Sequence, residues 1–135
     1  MKVTDLMIWD WVKVLDGNKW FFGIVCGIDR DNVLVENRGK SIAYPYEEEC
    51  LEPIPLTKEI LIKNGWREES DYENDLYGGH FPEDKEHRLE LDVDGCEIWW
   101  TINRAENYII QLRYVHELQH ALKLCGIDKE IDTQL

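Results

Sequence analysis

With 135 residues, 44% of them hydrophobic and 32% charged, the chain has the length of one domain or two very small ones, which excludes a multidomain enzyme, and enough apolar material to exclude global disorder. Fifteen Lys+Arg against 28 Asp+Glu leave a net charge of −13 at pH 7. Such a field repels phosphate backbones and anionic lipid surfaces, so nucleic-acid binding is disfavoured.

The first third reads as a meander of short strands. Trp11 to Leu15 leads into the turn Asp16-Gly17-Asn18, and Trp20 to Ile28 follows. Arg30-Asp31-Asn32 turns into Val33 to Glu36, and Asn37-Arg38-Gly39 turns into Ser41 to Tyr44. Gly23 and Gly27 inside the longest strand predict a bulge or a sharp bend, which a small sheet needs in order to curl. Four or five strands at this spacing suit an SH3-like small β-barrel over residues 1–56. The segment Glu47 to Leu51 predicts a helical turn before Pro53-Ile54-Pro55.

Thr57 predicts the N-cap of a short helix, with Glu59 in its first turn, Leu56 and Leu61 placed as a hydrophobic staple, and Asn64-Gly65 as its end. Residues 67–87 are rich in Glu, Asp, Tyr, Asn and Gly and predict a loop with one short strand at most. Leu89 to Ile102 alternate around Asp94-Gly95, a type I′ hairpin signal. Pairing outward from that turn sets Leu91 opposite Ile98 and Leu89 opposite Trp100 on a core face. Asp92/Glu97 and Glu90/Trp99 then share a wet face. Tyr108-Ile109-Ile110 predicts a strand, followed by an amphipathic helix that Gly126 ends. The whole is expected to be α+β, with residues 57–135 forming a helix, an acidic loop, a hairpin and a C-terminal helix in one compact unit with the first region.

Cys26, Cys50, Cys96 and Cys125 form no C-x-x-C pair, so neither a zinc ribbon nor a thioredoxin-like site is spelled out. Asp5 and Asp10 interrupt any signal-peptide core, and no run reaches the roughly 20 apolar residues of a bilayer span. The expectation is a cytoplasmic protein with reduced thiols and no membrane contact.

One motif invites a catalytic function. His116-Glu117-Leu118-Gln119-His120 is an H-E-x-x-H, the spacing that sets two imidazoles one helical turn apart for Zn²⁺ with the glutamate as general base. Physical arguments stand against it. At about 100° per residue, Val115, Leu118, Ala121, Leu122, Cys125 and Tyr114 form one apolar stripe. His116 and His120 fall on the opposite side beside Arg113 and Lys123, so the pair is expected to look into water. Lys123 stands where the extended protease pattern has glycine, and a third ligand would have to be Asp128, Glu130 or Asp132 in a frayed tail, or Cys96, Asp92 or His80 upstream. The match is read as coincidental. Metal ligands, catalytic residues and cofactors are therefore expected to be none, the alternative being a zinc-dependent hydrolase with ligands His116 and His120 and base Glu117.

Weaker signals count for less. Asp92 to Gly95 looks like half of an EF-hand loop, but the twelfth position counted from Glu90 is Thr101. The tryptophans Trp9, Trp11, Trp20 and Trp100 are read mainly as core. Trp99, on the charged face of the hairpin, is the candidate partner contact. Residues 1–56 hold six Lys+Arg and ten Asp+Glu, which argues against a backbone-tracking groove and for a protein partner.

Two segments carry a resemblance. Pro53-Ile54-Pro55-Leu56-Thr57 with Gly65-Trp66, and Tyr114-Val115-His116 with Leu118-Gln119, resemble a small uncharacterised protein family of Bacteroides-group gut bacteria, their phages and mobile elements. There a P-I-P-L-T…G-F segment precedes a variable middle and a terminal Y-V-H-x-L-Q helix. The likeness covers about a third of the chain. Family positions matching Glu117 and His120 are often Gln and Asn, so the resemblance implies that the complete H-E-x-x-H is particular to this chain. It implies no activity. The expected function is that of a non-catalytic interaction or accessory protein of mobile-element type.

Overall fold

The computed structural model describes residues 1–37, 40, 42–66, 79–81, 84–92, 97–102, 108–124 and 126–133, and gives the backbone alone for the described residues between 79 and 110 other than Ile98. It divides into two units, Met1–Ile54 and Pro55–Leu135.

The first unit is a five-stranded antiparallel sheet in the order β4-β3-β2-β1-β5, formed by β1 (Trp11–Asp16), β2 (Lys19–Ile28), β3 (Asn32–Asn37), β4 (Ala43–Glu47) and β5 (Leu51–Glu52). Gly17 takes φ 63 in the tight loop closed by the Asp16↔Lys19 pair, as the Asp-Gly-Asn signal requires. Alternation aims Val12, Val14, Val25, Val33, Val35 and Leu51 inward, where they form one core with Val3 and Leu6 from the N-terminal segment. Burial of each such side chain contributes about 1.5–3 kcal/mol. The register slips between Val25 and Gly27, and this bulge bends β2 so that the sheet curls about its core into a half barrel. At Gly23 an added Cβ would lie 2.9 Å from the Glu36 carbonyl oxygen, so glycine is what lets β3 approach there.

Two expectations shift. The fourth strand lies at Ala43–Glu47 rather than Ser41 to Tyr44, with the pairing Val33↔Tyr46 setting Tyr46 against the core while Tyr44 stays exposed. Pro45 is tolerated because β4 is an edge strand. The helical turn expected from Glu47 is a single 3-10 turn at Glu48–Cys50, where the Glu48 carboxylate accepts the Val3 N–H at 2.7 Å.

The second unit opens with α1 (Lys58–Lys63). The Thr57 hydroxyl accepts the Ile60 N–H at 3.3 Å, as the sequence predicts. The helix closes in a Schellman motif: Gly65 at φ 97 donates to Ile62 O and Trp66 to Leu61 O, both at 3.1 Å. An antiparallel sheet β6-β7-β8-β9 follows, made of β6 (Gly79–Phe81), β7 (Asp84–Asp92), β8 (Glu97–Ile102) and β9 (Tyr108–Leu112). The predicted hairpin register holds pair for pair from Asp92↔Glu97 to Leu89↔Trp100, and Ile98 is buried. Its turn at 93–96 lies outside the described residues.

β7 begins at Asp84, inside the stretch expected to be loop, and pairs His87 with Ile102 and Arg88 with Thr101. Ladder bonds there hold charged residues in extended form, which composition alone cannot reveal. The last helix, α2 (Val115–Leu124), ends on Gly126 at φ 72, with Ile127 donating to Leu122 O at 2.9 Å. No helix among the described residues is long and apolar enough to cross a membrane.

Gly23→Ala is expected to lower stability in urea unfolding by about 1–3 kcal/mol through overpacking. Gly126→Ala, with open space around it, is expected to lose only about 1 kcal/mol from its left-handed backbone.

Candidate functional site

The H-E-x-x-H lies in the first two turns of α2, and its environment corrects the expected orientation. Val115, Leu118, Ala121 and Leu122 are buried as the stripe predicts, but His116 is buried too, at 7% exposure, and its Nδ1 is closed to solvent. His120 is half-buried rather than free in water. Another segment of the chain runs along the helix start. Pro55 bridges to Tyr114, and Leu56 N–H donates to Arg113 O at 2.9 Å, so this strand of chain lies beside the entry to α2. Tyr114 then stacks on the His116 ring, with centroids 5.8 Å apart and 10° between planes, and His120 meets the same ring edge-on at 5.6 Å.

Glu117 is also used locally. Burial pushes its carboxyl above the usual range, while a hydrogen bond from the Arg113 backbone and the charges of Arg113 and His120 oppose that shift. It sits third in the helix, where a carboxylate reaching back to a free N–H satisfies the helix start. Arg113 and Lys123 are exposed, and Arg113 Nη2 donates to Gln111 Oε1 at 3.4 Å.

The proposed third ligands from the tail are placed elsewhere. Against the frayed tail that the sequence predicts, Ile131 and Thr133 are buried and Asp132 is held at the end of α1. Asn64 Nδ2 donates to Asp132 O at 2.8 Å, Asn64 Oδ1 accepts Asp132 N–H at 2.8 Å, and Lys63 Nζ lies 3.7 Å from the Asp132 carboxylate. A side-chain amide thus mimics a strand partner for a single residue. Asp128 and Glu130 are exposed. Among the described residues no group of three or more His, Cys, Asp or Glu is placed to hold a metal ion. The side chains of His80 and Asp92, and all of Cys96, lie outside the description. Cys26 and Cys50 are free thiols.

Trp99 lies in β8, between Glu90 and Gln111 on its neighbours, with its side chain outside the description. The tryptophans seen in water are others. Trp11 is buried, but Trp20 is 42% exposed and lies under Lys13 Nζ at 4.6 Å, with Lys13 in turn 3.7 Å from Glu52.

Trp9 is 69% exposed, and it is the non-glycine residue with positive φ among the described residues, at 81°. That backbone costs a bulky residue about 1–3 kcal/mol. Four hydrogen bonds hold it there. Trp9 N–H donates to Val25 O at 2.7 Å, Val25 N–H to Asp10 O at 2.9 Å, Asp10 N–H to Met7 O at 3.1 Å and Met7 N–H to the buried Asp10 carboxylate at 2.8 Å. The sequence carries only a faint trace of this turn, an Asp placed to bond back three residues, because it lacks the glycine that normally announces it.

Comparison with known protein families, characterised proteins and solved structures finds no match.

Asn64→Ala is expected to lose about 2–3 kcal/mol, since it strands the Asp132 backbone groups, and to open the tail to trypsin at Lys129 in limited proteolysis. For Glu117, the raised carboxyl means that the folded chain keeps a proton the unfolded chain has lost. Its contribution to stability therefore falls as pH rises from about 4 through the raised value. Glu117→Gln keeps the accepting oxygen and removes the titration, so urea midpoints measured across pH are expected to decline less than in the parent.

Proposed function

We propose that this chain is a non-catalytic interaction protein that works in the cytoplasm by protein–protein contact, with its first unit an SH3-like small barrel. The resemblance to the Bacteroides-group family supports an accessory role in a phage or mobile element. The observation that carries the reading is the exposed apolar set of the first unit. Ile8, Trp9, Trp20, Leu34 and Tyr44 stand in water around a core already filled by valine and leucine. Exposed large aromatics are the residues that anchor interfaces. A net charge of −13 turns away nucleic acid and anionic lipid and favours a partner of opposite charge. Trp99 remains a candidate contact on the hairpin.

A tagged chain is expected to recover a stoichiometric protein partner from native lysate, with a weaker complex in Trp99→Ala if the hairpin contributes. Absence of any such partner, together with an intact phenotype in Trp99→Ala, would contradict the reading.

The second reading, a zinc-dependent hydrolase with His116 and His120 as ligands and Glu117 as base, is favoured by the 5.6 Å separation of the two rings. Against it stands the use of the same groups in packing and in holding the helix start. Metal analysis of chain purified without a histidine tag separates the two. The interaction reading expects zinc far below stoichiometric and unchanged by His116→Ala, whereas the hydrolase requires near one zinc per chain that this substitution removes.

A further inference from the structure

We infer that the Met7–Asp10 turn is a recognition tip, and that Trp9 is the anchor it presents to a protein partner whose apolar pocket is rimmed by Lys and Arg. The inference rests on the interaction reading above and narrows it to one side chain and one class of partner.

A turn with positive φ at its third position is met without strain by glycine, and asparagine is the usual second choice. Here the position carries tryptophan, the bulkiest residue, at φ 81. Burial does not account for it, because the side chain is 69% exposed, with Met7 and Ile8 exposed beside it. The backbone is nonetheless fixed from both flanks, by the Trp9–Val25 and Val25–Asp10 hydrogen bonds to β2 and by the buried Asp10 carboxylate on Met7 N–H. A strained residue held rigidly while its apolar side chain points into water is preorganised, and preorganisation lowers the ordering cost of binding.

The charge selects the partner. Every approach to the tip runs through the field of a chain at −13, so a cationic rim is attracted and gains cation–π contact with the indole. The chain already makes that contact within itself, with Lys13 over Trp20 at 4.6 Å and Lys129 over Trp66 at 5.6 Å. A second copy would bring the same negative charge, and a nucleobase would bring phosphates; both are disfavoured.

The test uses the full chain with p-benzoylphenylalanine in place of Trp9, or of Trp20 as a control, irradiated in the source cells. The captured protein is then purified and titrated with the parent, Trp9→Gly and Trp20→Ala. Expected are an adduct specific to position 9, an affinity that falls as salt rises, and a loss of at least about 30-fold in Trp9→Gly. Trp9→Gly should also melt at the same temperature as the parent or up to about 5 °C higher, because strain is relieved. An adduct at position 20 but not 9, or affinity unmoved by Trp9→Gly, overturns the tip while leaving an interaction protein. No adduct and no co-purifying protein overturns both readings. Melting more than about 5 °C lower in Trp9→Gly shows that the indole holds the fold, and overturns the inference. So do salt-insensitive binding, concentration-dependent self-association lost in Trp9→Gly, or Trp9-dependent binding of a single-stranded DNA oligonucleotide.

Discussion

Burial of the first turn of α2, His116 included, is the constraint on which the account of this protein depends. Val115, Leu118 and Leu122 of the apolar stripe are buried. The segment through Pro55 and Leu56 lies beside the helix entry. His116 is stacked on Tyr114 and met by His120, and Glu117 is tied to the Arg113 backbone. On the proposed reading, residues that would be a metal site in an open cleft serve as packing and as a helix start here. The spacing of two histidines on a helix is cheap to produce; a cleft and a third ligand are not.

What could be read in advance was whatever one stretch of chain decides alone. The Asp92↔Glu97 to Leu89↔Trp100 register follows from alternation about a two-residue turn, because a slip of one residue would turn every side chain over. Thr57 as cap and Gly65 and Gly126 as stops follow from unpaired backbone groups at helix ends. What escaped was decided by distant chain. A helical wheel locates the side of α2 with the apolar stripe but not what lies against its other side, so it sets His116 in water where the fold buries it. Asn64 looks like an ordinary helix-ending residue until Asp132 arrives 68 positions later to share its amide. Trp9 escaped because its turn is built without glycine.

The first unit shows a division of labour between strands and turns. Its inward valines make a small core that the sheet, bent by the bulge at Val25/Gly27, curls around, and of its tryptophans Trp11 is the buried one. Trp9 and Trp20 are left for the surface. Stability resides in small β-branched residues and display in large aromatics, a separation that lets a contact surface change without unfolding the sheet.

The central claim, that the H-E-x-x-H of α2 is structural, is tested most directly by nitrogen NMR of the imidazole rings with and without one equivalent of zinc. The account predicts that the His116 ring nitrogens keep their shifts when zinc is added, with any change confined to the more accessible His120. Coordinated displacement of both rings' nitrogens at one equivalent would contradict it.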